Sequence, residues 1–428
     1  MRIILANYRY FVSGGPERYM FNVTDALTER GHEIIPFSIR YSKNSPSPYE
    51  EHFVAPPAEK DQIYFRDQSF SPWVVLKTLS RLFYATDVEK AVQRLINDTQ
   101  PDIAYVLAYL RKLSPALLVG LKNVGVPIVV RLSDFGMLCP ASTCCRDGHP
   151  CELCVKGNIF PSVRYRCVKG SLPISLTNAA ATWFHRSRHY FDLIDCFVTT
   201  TRFMYDMMLS VGYSADRLRL IPTFVDNDFF HPAPQEQIPG IPYFLYVGRV
   251  DYDKGVHVLL DAWRRLKKFY QGQPIQLKIV GTYVFGSAEY MEQLMSLALP
   301  DVAFLGELSK NEIADLLRNA YMTIIPSIIY DNLPNVVLES YASGTAVIAS
   351  NIGSFKECVV DNETGELFET GNADDLMEKM EYALEHPDQV AFMSQEARNV
   401  ALGKYSREMH LSSLESLFES LVKNEHNN

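Results

Sequence analysis

Two acidic residues, Asp331 and Glu339, stand eight positions apart in the stretch PSIIYDNLPNVVLESYAS (326–343). Asp331 falls in a turn after the apolar run MTIIPS, and Glu339 falls in a helix whose first turn suits Pro334 and which Gly344 ends. Val336, Val337 and Leu338 precede Glu339, and Ser340, Tyr341 and Ala342 follow it, so burial is expected. No cation lies close to either acid in sequence. A buried carboxylate needs donors, and the hydroxyls of a sugar supply them. A solvated carboxylate on a helix exterior is the plainer alternative. The backbone from Asn332 through Leu333 and Pro334 to Asn335 would face the same cleft.

A second segment, GRVDYDKG (248–255), sets Arg249 and Lys254 five positions apart across a tight connection after Gly248. That spacing lets both converge on one diphosphate, the guanidinium as a fork for two oxygens and the ammonium as a point charge. The alternative is a solvated basic pair at a helix start, where cations are disfavoured unless an anion is present. A third segment, VSGGPERY (12–19), joins a strand to a helix through Gly14 and Gly15. Its glycines permit close backbone approach and its helix start offers free N–H groups to an anion. A flexible turn explains two glycines about as well.

The cysteines form a further constellation. Cys139, Cys144, Cys145, Cys151, Cys154 and Cys167 fall within 29 residues, and Cys151-Glu-Leu-Cys154 has the spacing of a zinc knuckle. A structural zinc on Cys139, Cys151, Cys154 and Cys167 is one reading; reduced buried thiols and a redox disulfide are the others.

The elements that must position these groups follow from the apolar pattern. RIILA (2–6), EIIPFSI (33–39), DIAYVLA (102–108), PIVVRLS (127–133) and CFVTTT (196–201) read as strands separated by helical spacers. The pattern restarts after HPAPQEQIPGIP (231–242) with YFLYVGR (243–249), QLKIVG (276–281), VAFLGEL (302–308), MTIIPS (322–327) and AVIAS (346–350). The fold class is therefore α/β, two Rossmann-like domains facing a central cleft lined by the carboxyl ends of both sets of strands. The expected division is 1–235, with a Cys-rich insertion at about 139–170, then 236–404, then a final helix in 405–428 that returns to the first domain. The stretch SPWVVLKTLSRLFYA (71–85) aligns Trp73, Leu76, Leu79, Leu82 and Phe83 on one helical face near Lys77 and Arg81. Packing on the core is its first reading, and a peripheral contact with a membrane surface is its second.

With 428 residues, 47% of them hydrophobic, the chain has material for two domains of about 200 residues each. A net charge of -9 gives no support to nucleic-acid binding. The opening MRIILANYRY is too short in apolar residues for a signal-peptide core, and no run reaches the length of a membrane span. The expected location is cytoplasmic.

Taken together, the segments resemble the retaining glycosyltransferases of family four, also called glycosyltransferase group 1, which have the GT-B fold. The spacing of Asp331 and Glu339 is similar to that family's E-x7-E pair, with aspartate in the first place. GRVDYDKG is similar to its donor-diphosphate motif, and VSGGPERY to its Gly-Gly loop. The resemblance implies a nucleotide-sugar donor, a UDP- or GDP-sugar first among them, and a saccharide or lipid-linked saccharide acceptor. It implies that Glu339 holds ribose hydroxyls, that Asp331 holds the sugar, and that Arg249 and Lys254 stabilise the leaving diphosphate with help from the Gly15 and Asn332–Asn335 backbone. Phe304 and Gly306 would border the base, and no metal is required for catalysis. The family often has His-Asp where this chain has Ser133-Asp134. Asp134 is then the candidate acceptor of the incoming hydroxyl's proton, or a turn cap. Some relatives carry a Cys-rich insertion at the same place. A nucleotide-sugar epimerase and a catalytically silent GT-B binding module are the competing readings.

Overall fold

The computed structural model describes residues 1–56, 72–233, 240–283 and 288–426. The domain boundary expected near residue 235 lies outside the described residues. Two six-stranded sheets carry the chain. The first is built from β1 (Arg2–Ala6), β2 (Glu33–Phe37), β3 (Ile103–Val106), β4 (Ile128–Arg131), β7 (Cys196–Thr199) and β8 (Leu218–Leu220), in the order β2-β1-β3-β4-β7-β8. Between β4 and β7 a small hairpin, β5 (Cys145–Arg146) and β6 (His149–Pro150), interrupts the pattern. Asp147 and Gly148 turn it with φ of 51° and 76°, the left-handed pair that two-residue hairpins favour.

The second sheet has β9 (Tyr243–Val247), β10 (Gln276–Val280), β11 (Val302–Gly306), β12 (Met322–Ile325), β13 (Val347–Ser350) and β14 (Gly365–Phe368), in the order β11-β10-β9-β12-β13-β14. Every pairing in both six-stranded sheets is parallel. Such sheets are covered on both faces by helices, which is why their strands read as near-continuous apolar runs. In β1, Ile4 and Ala6 belong to one core layer while Ile3 and Leu5 belong to the opposite one. Phe244 and Tyr246 against Tyr243 and Leu245 repeat that division in β9.

The final helix, Arg407–His426, packs on the first domain, where Leu411, Leu414, Leu417 and Phe418 enter its core. Arg30 pairs with Glu415 at 2.6 Å, and His410 bonds the Pro222 carbonyl and the Tyr19 hydroxyl. The chain thus crosses between the domains more than once.

The helix Pro72–Phe83 departs from its first reading. Leu76 and Leu79 are 57% and 38% exposed, so the expected core stripe is not packed on the core. Val74 and Arg81 are buried instead; Arg81 donates to the Ala55 carbonyl and pairs with Asp87 at 2.5 Å. The side chain of Trp73 lies outside the described residues. Among the described residues, no helix is long and apolar enough to cross a membrane.

Candidate active site

Between the carboxyl ends of the two sheets lies a cavity of about 430 Å³. The turn after β1 contributes Gly14 and Gly15, and the loop after β9 contributes Gly248, Arg249 and Lys254. The segment after β12 contributes Asp331, Asn332, Leu333, Pro334, Asn335 and Glu339.

Two helices open onto this cavity from opposite domains. One is Gly15–Glu29, with Pro16 in its first turn, and the other is Asn335–Ala342, preceded by Pro334. A Cβ on Gly15 would lie 2.8 Å from Asn335 Nδ2, so a larger residue there would push the Asn335 amide aside. Each helix start leaves backbone N–H groups without intrahelical partners, and together they make an anion cradle. Asn332 ties the cradle across the domains: its Nδ2 donates to the Leu132 carbonyl at 2.6 Å, and its Oδ1 accepts from Thr200 at 3.2 Å.

The cations are not solitary. Lys254 Nζ lies 2.6 Å from Asp331, and Arg249 lies 2.6 Å from Asp251 and 3.7 Å from Asp253. The acids therefore supply the anion that a cation at a helix start requires. The expectation that Asp331 and Glu339 lack cationic partners holds only along the sequence; in space Glu339 pairs with Arg18 at 3.1 Å. Gly255, at φ 72°, turns the chain after Lys254, and a Cβ there would lie 1.8 Å from the Pro326 carbonyl oxygen. That turn fixes the distance between the Lys254 loop and the segment bearing Asp331.

Glu339 is buried, and burial raises its pKa above the ordinary carboxyl range against the pull of Arg18 and Lys310. A carboxylate in that condition gains from ligand hydroxyls that replace lost water. Arg18 is a cleft residue that sequence reading missed. Its signal was its place one turn into the helix that follows Gly15.

Arg131, at the end of β4, was missed as well. It is buried beneath the Tyr19 ring at 4.0 Å, and it donates to Ser133 at 2.9 Å and to Thr223 at 2.6 Å. Arg131 and Ser133 line both the central cavity and a second one of about 230 Å³ within the first domain. Asp134 lines only the second. One of its oxygens accepts from the Gly136 N–H at 2.7 Å, so it does cap a turn. Its carboxyl is raised above the usual range, mainly by desolvation, which suits a group that takes a proton.

Phe304 and Gly306 are not part of the central lining. They belong to β11 at the sheet edge, where Phe304 packs on the second domain's core and the Gly306 carbonyl accepts from Gly281 at 2.7 Å. Cys139, Cys145, Cys151, Cys154 and Cys167 line one small cavity in the insertion, while Cys144 is buried in the first domain's core. All eight cysteines are free thiols. Among the described residues, no three His, Cys, Asp or Glu side chains stand close enough to hold a metal as they lie.

The pattern described as "Glycosyl transferases group 1" matches residues 230–400. Those residues form a group 1 glycosyltransferase domain. Glycogen synthase of Mycobacterium tuberculosis is 29% identical over 175 residues, which is 40% of this chain and 41% of that protein. Phosphatidyl-myo-inositol mannosyltransferase of the same species is 34% identical over 153 residues, 34% of this chain and 38% of that protein. The matched region thus spans about two-fifths of these curated relatives. Among solved structures, sucrose-phosphate synthase from Thermosynechococcus elongatus superposes with a TM-score of 0.73 at 18% identity, covering 99% of each chain. Anabaena HepE in complex with UDP and glucose gives 0.65 at 18% identity over 97% of this chain and 99% of that one. The fold of the whole chain is GT-B. The group 1 domain carries Arg249, Lys254, Asp331 and Glu339, and the first domain brings Gly15 and Arg18 to meet it.

Proposed function

We propose that the protein is a retaining glycosyltransferase of the family-four type, which moves a sugar from a UDP- or GDP-sugar to a saccharide or lipid-linked saccharide in glycan assembly. One observation carries this reading: two helix starts and the Arg249/Lys254 pair converge on a single cavity, with Asp331 and Glu339 at its wall. Such a cradle fits a diphosphate, and the two acids fit the hydroxyls on either side of it. Glu339 would take the ribose and Asp331 the transferred sugar. HepE, a structural neighbour, was solved with UDP-glucose, and the curated relatives include enzymes of glycogen and lipopolysaccharide assembly.

In the reaction the anomeric C–O bond to the diphosphate breaks and a bond to the acceptor oxygen forms on the same face. The acceptor proton passes to the departing phosphate or to Asp134. Negative charge grows on the leaving diphosphate, and preorganised N–H groups and cations stabilise it in place. The experiment is a thermal-stability panel with UDP, GDP, ADP and dTDP, followed by NMR of the product formed from the donor that stabilises. A ligand at about 100 times its dissociation constant adds roughly 2.7 kcal/mol. No response to any nucleotide, or a product of inverted configuration, would overturn the reading.

Acceptor delivery from a membrane belongs to the same proposal, with the protein working at the cytoplasmic face. The helices Pro72–Phe83 and Leu172–Ser187 pack together and expose Val75, Leu76 and Leu79 on one and Leu172, Leu176 and Trp183 on the other. Arg164, Arg166 and Lys169 are in the stretch just before the second helix. An apolar face beside cations suits an anionic lipid surface. Co-sedimentation with phosphatidylglycerol vesicles is expected for the wild type and is expected to be lost in Leu76→Asp/Leu79→Asp. Equal sedimentation of both proteins would remove this face from the proposal.

For the cysteine insertion the proposal is a structural zinc on Cys139, Cys151, Cys154 and Cys167. The donor set suits zinc, since four thiols line one cavity, although their present separations would have to shorten. The ion would hold the insertion and take no part in the transfer. Protein purified without chelator is expected to contain about one zinc per chain, and Cys154→Ser to lack it and melt earlier. Zinc-free wild-type protein of unchanged stability would count against it.

A further inference from the structure

Nothing in the proposed transfer requires a cysteine-rich insertion, and the insertion lies outside the residues 230–400 that match the group 1 pattern. Its hairpin, β5 and β6, nevertheless reaches the second domain. A Cβ on Gly148, in the hairpin turn, would lie 2.8 Å from Tyr252 Cε1 and 3.6 Å from Ile328 Cδ1. Cys145 packs against the second domain's core. Just after the hairpin, Glu152 accepts a hydrogen bond from the Tyr330 hydroxyl at 2.8 Å, and the Tyr330 ring lies 4.7 Å from that of Phe203 in the first domain.

The places touched belong to one junction. Tyr252 opens the short helical turn Tyr252–Lys254, and Tyr330 immediately precedes Asp331. These two segments are already joined, because the Ile328 N–H donates to the Asp253 carbonyl at 3.0 Å and Lys254 pairs with Asp331 at 2.6 Å. Gly148 rests on both of them at once. The Tyr252 ring stacks on His257 at 4.4 Å within its own domain and meets the hairpin turn from the other. A lysine has a long flexible stem, so its charge is preorganised only when the backbone that carries it is held.

We propose that the insertion is a clasp on the donor side of the site. Gly148 and Glu152 are positioning residues that touch no substrate and set the place of Lys254 through Tyr252 and Tyr330. The proposal rests on the glycosyltransferase reading for the diphosphate that Lys254 meets. It also gives the cysteine cluster a task, since whatever holds those thiols together holds the clasp.

The test compares the affinity of UDP with that of uridine, and of GDP with that of guanosine, by calorimetry on the full chain. A nucleoside diphosphate carries the charge of the departed leaving group, so its advantage over the nucleoside reads the placement of Lys254 without an acceptor. Gly148→Ala is expected to cut that advantage about tenfold and to leave nucleoside affinity unchanged. Tyr252→Ala should cut it less, and the double variant should lose no more than Tyr252→Ala alone, because the added methyl then meets no ring. Strain at φ 76° lowers the melting temperature of Gly148→Ala in either background and cannot produce that rescue. Tyr330→Phe and Glu152→Ala, which leave the backbone unstrained, should each cut the advantage roughly threefold, and together no further. If Gly148→Ala does not fold, this second pair alone decides. Losses that add in either pair, or a wild-type advantage in every variant, overturn the clasp while UDP or GDP still binds. Wild-type protein that binds neither diphosphate overturns the glycosyltransferase reading and the clasp with it, so the two failures are distinguishable.

Discussion

Lys254→Ala is expected to lower kcat by about 10²–10³-fold, equivalent to about 2.7–4 kcal/mol of transition-state stabilisation. Affinity for the sugar-free nucleoside should be unchanged. The reason is where charge appears. The ammonium sits 2.6 Å from Asp331 and lines the cavity onto which the two helix starts open, where in the proposed reaction a departing diphosphate would gain charge as the anomeric bond breaks. The nucleoside makes no use of it, so the loss belongs to turnover and not to ground-state recognition. Folding should tolerate the change, because Lys254 and Asp331 both keep some solvent contact and a partly exposed pair contributes roughly 0–1 kcal/mol. Lys254→Arg should restore little, since a planar fork cannot replace a compact point charge in a space fixed by the Gly255 turn. Single-turnover rates with saturating donor decide it. A variant that turns over at the wild-type rate would place the leaving-group charge elsewhere.

The strands were legible because both sheets are buried on both faces. Runs such as RIILA and YFLYV had no other reading. β8 and β14 were missed. β8 is three residues long at a sheet edge with Arg219 and Leu220 exposed, and β14 begins on Gly365 and carries Glu366, so neither forms an apolar run. The helix Pro72–Phe83 misled for a related reason: its buried face includes Arg81, whose charge is met by Asp87 and the Ala55 carbonyl, and no apolar count foresees that. In the site, residue types and local spacing pointed to Arg249, Lys254, Asp331 and Glu339. Their partners were beyond reach, because Lys254 meets Asp331 across 77 positions and Arg18 meets Glu339 across 321. Local spacing reports which groups share a loop; only the packing of two domains reports which charges share a cleft. Arg131 belongs to that second class, and it sits at a strand end whose sequence looks ordinary.

Glu339→Gln separates the donor-binding role proposed for that residue from its effect on folding. With its pKa raised chiefly by burial, the folded chain binds a proton at Glu339 more readily than the unfolded chain does. The ionised form therefore costs stability at any pH above the raised pKa. The cost shrinks as pH falls through that pKa and disappears below the ordinary glutamate value of about 4.3, where both states are protonated. A neutral isostere removes the cost at neutral pH while its amide oxygen still accepts from Arg18, so the melting temperature of the ligand-free variant should hold or rise. Nucleotide affinity should move the other way. Ribose hydroxyls donate to a carboxylate with two acceptor oxygens, and the amide offers one oxygen and turns a donor toward them. Replacing a charge-assisted pair by this arrangement costs about 1.5–3 kcal/mol, or about ten- to a hundredfold in affinity. The wild type should also lose affinity on acidification earlier than a free glutamate would, and the variant should not. Calorimetry with the nucleotide that stabilises the wild type, taken from about pH 7 toward pH 5, reads both effects. A variant that melts lower and still binds nucleotide as tightly would make Glu339 a structural partner of Arg18 and take the ribose away from it.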